Sequence, residues 1–156
     1  MSQLVIKQFE MTRSWFIEVA ESVPRGITNI QPQGFNNNIH WHIGHVLTSA
    51  DQIMFGLHHN KSYLPTVYVE LFNRGTYPSD WGGDVPSVEE LITQLKDQWV
   101  RLQQIPAEQL TDTLKEPFIG LETLGEVAGF AIVHESIHIG KIQEMKRIIE
   151  YAETTN

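Results

Sequence analysis

The chain has 156 residues, about the length of one domain, and its 19 acidic against 11 basic side chains give a formal net charge of −8. This charge works against binding to nucleic acid or to an anionic membrane, so small molecules or other proteins are the expected partners. The absence of cysteine excludes disulfides, thiolate metal ligands and a cysteine nucleophile. Any metal must be held by His, Asp or Glu, so the seven histidines are the residues to explain.

The first ten residues, MSQLVIKQFE, lack the basic region and the apolar region of a signal peptide. The chain contains no run of about 18 apolar residues, which is the length needed to span a bilayer. We therefore expect a soluble cytoplasmic protein that folds as one domain over residues 1–156.

Apolar periodicity predicts helices along the chain and almost no strand alternation. The first helix carries its apolar residues at four-three spacing between Val5 and Val19 and ends before Pro24. The asparagines of GFNNNIH can cap a second helix, whose apolar line extends from Ile39 to Leu57.

Two capping boxes mark the start of the third and fourth helices. Ser87 pairs with Glu90 in the first box, and Thr123 pairs with Glu126 in the second, which opens a long helix reaching about Tyr151. Four amphipathic helices without a credible β-hairpin predict an all-α fold, a four-helix bundle.

Two connections are unusually long, at about residues 58–86 and 103–122. Loops of this length usually cover a site or are disordered. The first contains five aromatic residues, which favours a packed loop: Tyr63, Tyr68, Phe72, Tyr77 and Trp81. These rings either fix the loop to the bundle or line a pocket, and the sequence leaves both interpretations open.

The stretch VHESIHIGK contains the pattern H-E-x-x-H at His134 to His138. Both histidines follow the apolar seam of the predicted fourth helix, and side chains four residues apart lie one above the other. Two buried imidazoles need a partner for each nitrogen, which a shared metal ion supplies in part. The pattern therefore predicts a metal site.

A zinc peptidase does not follow from this pattern. Only 18 residues follow His138, and their carboxylates, Glu144, Glu150 and Glu153, lie on or just past the end of the same helix. They cannot fold back to supply the third ligand, and no strand is predicted that would present an edge to a peptide substrate.

The third ligand is therefore expected upstream, in NNNIHWHIGHVL, which contains His40, His42 and His45. On a helical wheel His42 lies nearest the apolar face, and periodicity slightly favours it. This helix is apolar around most of its circumference, so the wheel leaves His42 and His45 both open.

Two segments, HWHIGHVLTSADQI and HESIHIGKIQEM, resemble the W-x-x-G-H and H-x-x-x-H-x-G-[QK] segments of the DinB/YfiT-like family of metal-dependent bacterial proteins. TRSWFIEVAESVP resembles the first helix of that family, and LFNRGTYPSDWGGDVPSVEELITQL resembles its mid-chain loop and third helix. The resemblance extends over nearly the whole chain and implies a DinB-like four-helix bundle.

Carried over residue by residue, the resemblance implies that His45, His134 and His138 bind a divalent metal ion, and so it selects His45 over His42. Zinc or nickel is the expected metal. Ligation by histidine alone also suits iron or cobalt, and copper on affinity grounds, and manganese is a further alternative. Three imidazoles leave a coordination position open to water or substrate.

The resemblance further implies an enzyme in which the metal activates a low-molecular-weight thiol for attack on an electrophilic or xenobiotic substrate. Alternatives are an isomerase, a hydrolase with Glu135 as general base, or a metal-stabilised stress-response protein without turnover. Otherwise Glu135 is a solvated residue on the helix surface. A fourth protein ligand to the metal would favour the non-catalytic alternative.

Arg74 and Lys141 are candidates for binding a carboxylate of the cosubstrate. Met11, Trp15 and Phe55 are expected to face outward, where they would serve a homodimer.

Overall fold

The computed structural model describes residues 2–155, and most of these residues are helical. The helices are α1 Ser2–Ser22, α2 Ile39–Asp51, α3 Leu57–His59, α4 Val67–Phe72, α5 Val88–Gln103 and α6 Leu124–Thr154. Two short strands, β1 Thr113–Phe118 and β2 Leu121–Thr123, precede α6. No helix among the described residues is long and apolar enough to cross a membrane.

The helix starts are those that the side chains predict. The side chain of Asn38 accepts a hydrogen bond from the backbone N–H of Trp41 and caps α2. Both reciprocal bonds of a capping box are present at the start of α5 and again at the start of α6. Such caps satisfy backbone N–H groups that have no partner within the helix.

The four long helices contact one another in a closed ring. α1 contacts α5 and α6, and α2 contacts the same two helices. α1 and α6 run in the same direction, because Arg13 pairs with Glu135 and the carbonyl group of Ser22 accepts from Lys146. This arrangement brings the middle of α2 against the middle of α6.

Two clusters of buried apolar residues lie within this ring. One contains Phe16, Ile39, Ile43, Leu91 and Ile142 among others. The second contains Phe9, Ile53, Met54, Leu124 and Val127, with Phe118 from β1 packed against it. Burying each large apolar side chain contributes about 1.5–3 kcal/mol to folding.

The expectation that the chain has no β-hairpin was wrong, although the fold is mostly helical as predicted. β1 pairs antiparallel with β2, and the two-residue tip, Ile119 and Gly120, has positive φ at both positions, 49° and 87°. Positive φ at both central residues is typical of a type I′ hairpin turn. The strands are short, and the first contains Pro117. Proline has no backbone N–H, so in a strand it is tolerated only at a position that needs no hydrogen bond to the neighbouring strand. These features hid the hairpin in the sequence.

The first long connection is packed, as its aromatic residues predict. It contains α4, and the side chains of Tyr68 and Phe72 are buried in the core. Phe55 is buried as well, with 4% of its surface exposed, so the expectation that it faces outward was wrong. It packs edge-on against Tyr63. Trp15 and Met11 are exposed.

Candidate metal centre

Three histidines from two helices converge between α2 and α6. One nitrogen each from His45, His134 and His138 lies within 4.8 Å of the other two. The centroids of the three rings are 4.5–5.0 Å apart. Nε2 of His45 and Nε2 of His134 are separated by 3.1 Å. Among the described residues this group can hold a metal ion.

The tautomer of His45 is fixed by the backbone. Nδ1 of His45 lies 2.7 Å from the carbonyl oxygen of Phe72. A carbonyl oxygen only accepts hydrogen bonds, so Nδ1 carries the proton and the lone pair of Nε2 faces His134. This is the arrangement in which a metal-binding histidine donates its second N–H to an outer acceptor.

The residues just before His45 hold this acceptor in place. A Cβ atom built on Gly44 would overlap the ring of Phe72, so only glycine lets that ring lie directly on α2. The indole of Trp41 stacks on His45 with ring centroids 4.4 Å apart, and its Nε1–H donates to Thr76. The Trp, Gly and His residues of the W-x-x-G-H segment therefore each have a defined contact at the site.

His42 contacts His138 rather than joining the group of three. Nδ1 of His42 lies 2.8 Å from Nδ1 of His138, so one of these nitrogens donates and the other accepts. A lone pair on Nε2 of His138 requires the proton on its Nδ1, and Nδ1 of His42 then accepts it. Helical periodicity favoured His42 because it is buried, but burial does not distinguish a ligand from its neighbour.

The remaining histidines have other partners. Nδ1 of His40 bonds to the side-chain oxygen of Asn29 and its Nε2 bonds to the carbonyl of Pro86. His58 bonds to His59 through one nitrogen and pairs with Asp112 through the other. These contacts lie outside the group of three.

Burial keeps the clustered imidazoles neutral. Loss of water and the neighbouring His45 lower the pKa of His134 to about 4. Burial also lowers the pKa of His45 and of His138, and the charge of Lys141 acts in the same direction on both. Neutral imidazole is the form that binds a metal. The residues present therefore fit a divalent ion.

Glu135 lies in a separate buried site on the same turn of α6. Its side chain is 1% exposed, so the interpretation as a solvated surface residue was wrong. Both of its oxygens accept hydrogen bonds from the guanidinium of Arg13. Arg13 also donates to the side chain of Gln98 and to the carbonyl of Leu95. The carboxylate of Glu135 is thus fully paired with the guanidinium of Arg13.

A cavity of about 520 Å³ opens beside the histidines. His45 and His134 contribute to its wall. The other lining residues are Ser49, Gln52, Ile53, Leu57, Asn73, Arg74, Phe118, Ile119 and Phe130. The hairpin thus supplies two apolar residues that sequence analysis did not place at the site, and Arg74 lines the cavity whereas Lys141 does not.

Comparison with known proteins agrees with this fold. The crystal structure of a conserved protein from Enterococcus faecalis aligns with a TM-score of 0.64 and 19% identity, covering 95% of this chain and 96% of that protein. No curated protein was found to be similar in sequence. The model of the DinB superfamily matches residues 8–142. The chain therefore belongs to the DinB superfamily.

Proposed function

We propose that this protein is a metal-dependent thiol S-transferase in which His45, His134 and His138 bind one divalent ion, with the ring of four long helices as a four-helix bundle scaffold. The observation that carries the proposal is the meeting of three neutral imidazoles, two of which, His45 and His134, line a cavity large enough for a small molecule. Zinc or nickel is the metal that we expect first, with iron, cobalt or manganese as alternatives.

The outer contacts support a site with three protein ligands. His45 is oriented by the carbonyl of Phe72, and His138 is oriented by His42. The group of nitrogens that lie within 4.8 Å of one another does not include His42, which supports three protein ligands rather than four. An open position distinguishes a catalytic metal site from a structural one.

A divalent ion at this position would lower the pKa of a bound thiol and so supply a thiolate at neutral pH. The chain has no cysteine of its own, so the nucleophile is a cosubstrate. His45 and His134 lie at the end of the cavity where the thiolate and the electrophile would meet. The apolar wall excludes water from the electrophile. Sulfur forms a bond to the electrophilic carbon, the leaving group departs with its electron pair, and the thiol proton passes to solvent.

The hydrolase alternative with Glu135 as base finds no support in the contacts of that residue, because Arg13 holds both carboxylate oxygens. A non-catalytic metal protein is the outcome to be separated by experiment.

The test begins with elemental analysis of untagged protein, which should contain about one divalent ion per chain. The loaded protein is then assayed with 2-mercaptoethanol and 1-chloro-2,4-dinitrobenzene, and chloride release is measured. We expect turnover that His134→Ala abolishes and that the exposed control His59→Ala leaves unchanged. Stoichiometric metal without turnover across a panel of thiols and electrophiles would favour the non-catalytic alternative.

A further inference from the structure

We propose that the electrophilic substrate is a small organic anion, whose charged group binds Arg74 and whose apolar body contacts the hairpin tip and α6. This inference rests on the proposed function and names the substrate class of the same cavity. An apolar wall suits the body of a carbon electrophile better than a small polar thiol, so we assign the cavity to the electrophile.

Arg74 is the only permanently charged side chain among the residues that line the cavity. Arg13, Arg25 and Arg147 pair with carboxylates. Arg101 lies over the ring of Tyr63, and its buried Nε and Nη2 have no hydrogen-bond partner, but it does not line the cavity.

Arg74 is exposed, and its guanidinium makes no hydrogen bond or ion pair with any residue that the structure describes. Only its backbone N–H is engaged, donating to the side chain of Asn73. In a chain with 19 acidic residues, a guanidinium left free at a cavity wall is available to an anionic ligand, which it can bind in a bidentate manner.

The apolar wall carries an independent sign of use. Ile119 stands at the hairpin tip with φ of 49° and is 68% exposed. Positive φ is unfavourable for a β-branched residue, and this turn position ordinarily takes Asn, Asp or Gly. An exposed, strained isoleucine at a cavity wall is explained if its side chain contacts a ligand.

The rings beside it form a continuous surface towards the histidines. Phe118 packs edge-on against Phe130 with centroids 5.6 Å apart, and Phe130 stacks at 6.0 Å on His134. An apolar body on this surface would lie between the hairpin tip and the metal ligands. The cavity volume is within the range of small-molecule sites, about 300–1,000 Å³.

Binding of two matched probes tests the role of Arg74. 4-Phenylbutanoate and 4-phenylbutanamide differ in charge and share the same apolar body. Isothermal titration uses the metal-free protein, since a carboxylate also binds a metal directly. We expect the wild type to bind the acid about 5- to 10-fold more tightly than the amide, and Arg74→Gln to remove this preference.

Lys141→Gln is the matched control, because Lys141 is exposed and acts electrostatically on the histidines but does not line the cavity. It should retain the preference for the acid. An equal loss in Lys141→Gln, equal binding of both probes by the wild type, or binding of neither probe overturns the inference.

A second variant tests the apolar wall. Ile119→Asn introduces a residue that tolerates positive φ better than isoleucine and removes the apolar contact. It should weaken both probes by the same factor, whereas Val133→Asn, at an exposed position of α6 that does not line the cavity, should weaken neither.

These measurements need neither metal nor turnover, so they are separate from the test of S-transfer. A preference for the acid without any transferase activity would sustain the anion site and refute the proposed function. Transferase activity with equal binding of both probes would do the reverse.

Discussion

One turn of α6 carries two buried polar sites that face different neighbours. Glu135 is directed at Arg13 of α1, whereas His134 and His138 are directed at α2. Around Glu135, the carboxylate oxygens accept from Arg13, and Arg13 has further acceptors on α5. Around the histidines, Nε2 of His45 lies 3.1 Å from Nε2 of His134 and 3.4 Å from the hydroxyl oxygen of Ser49, and no charged partner is present.

The difference separates a structural polar cluster from a binding site. The charges of Arg13 and Glu135 are opposite and compensate each other. A ligand could bind there only by breaking one of their contacts. In the histidine group the outer nitrogens of His45 and His138 are already satisfied, so the inner lone pairs are available to a proton or a metal ion. Burial alone is common to both, and the matching of donors to acceptors is what differs.

The largest expected effect comes from breaking the buried pair of Arg13 and Glu135. Glu135→Ala leaves the guanidinium of Arg13 buried without its counter-ion, which should lower the free energy of unfolding by about 3–5 kcal/mol in denaturant titration. Glu144→Ala, which removes an exposed pair with Arg147, should cost less than about 1 kcal/mol.

A matched double replacement sharpens this result. Arg13→Met combined with Glu135→Leu removes both charges together, and it should be more stable than Glu135→Ala alone. If Glu135→Ala costs no more than Glu144→Ala, the buried pair does not hold the helices together as described.

A change in the histidine group should affect metal binding more than stability. His134→Ala should weaken metal binding by more than about 100-fold, because it removes a direct ligand rather than an outer contact. It should change the free energy of unfolding of the metal-free protein much less than Glu135→Ala does. Competition titration with a chromophoric chelator measures the first quantity. Unchanged affinity in His134→Ala would remove this residue from the metal site.

A smaller effect is expected at His42. His42→Phe removes the partner of His138 but keeps a buried ring, so metal affinity should fall about 10- to 100-fold while one ion per chain is still bound at saturation. His42→Gln, which retains an acceptor, should fall less. Loss of stoichiometric binding in His42→Phe would mean instead that His42 is itself a ligand.

The smallest effect is the pH dependence that His134 contributes to stability. The pKa of His134 is lowered to about 4 from its ordinary 6.5, so the unfolded chain takes up the proton first as the pH falls. Stability conferred by the neutral imidazole is present above pH 6.5 and is lost as the pH falls toward 4.

In the metal-free protein, His134→Phe should therefore show a shallower loss of stability between pH 7 and 5 than the wild type, by about 1–2 kcal/mol. Parallel curves for the two proteins would show that His134 does not titrate in this way.

Local sequence signals predicted much of the fold. The caps at Asn38, Ser87 and Thr123 depend on residues within one helical turn, and each start was found where those residues stand. The hairpin was missed because its turn contains Ile119, whereas asparagine or aspartate at that position would have predicted a hairpin turn.

Long-range partners were beyond such signals. Arg13 meets Glu135 across 122 residues, and nothing in the sequence around either residue indicates the other. The spacing of His134 and His138 indicated a pair on one helix face, but periodicity could not separate His42 from His45. That choice depends on which imidazole faces a backbone carbonyl, a fact of tertiary packing.

Gly44 gives the centre an unusual sensitivity. A single added methyl group would push Phe72 away from α2, and the carbonyl that holds the proton of His45 belongs to that same residue. A mutational lineage that replaced this glycine could keep every histidine and every helix and still lose its affinity for metal. For the centre proposed here, the three histidines together with Gly44 are therefore a better criterion of metal binding than the histidines alone.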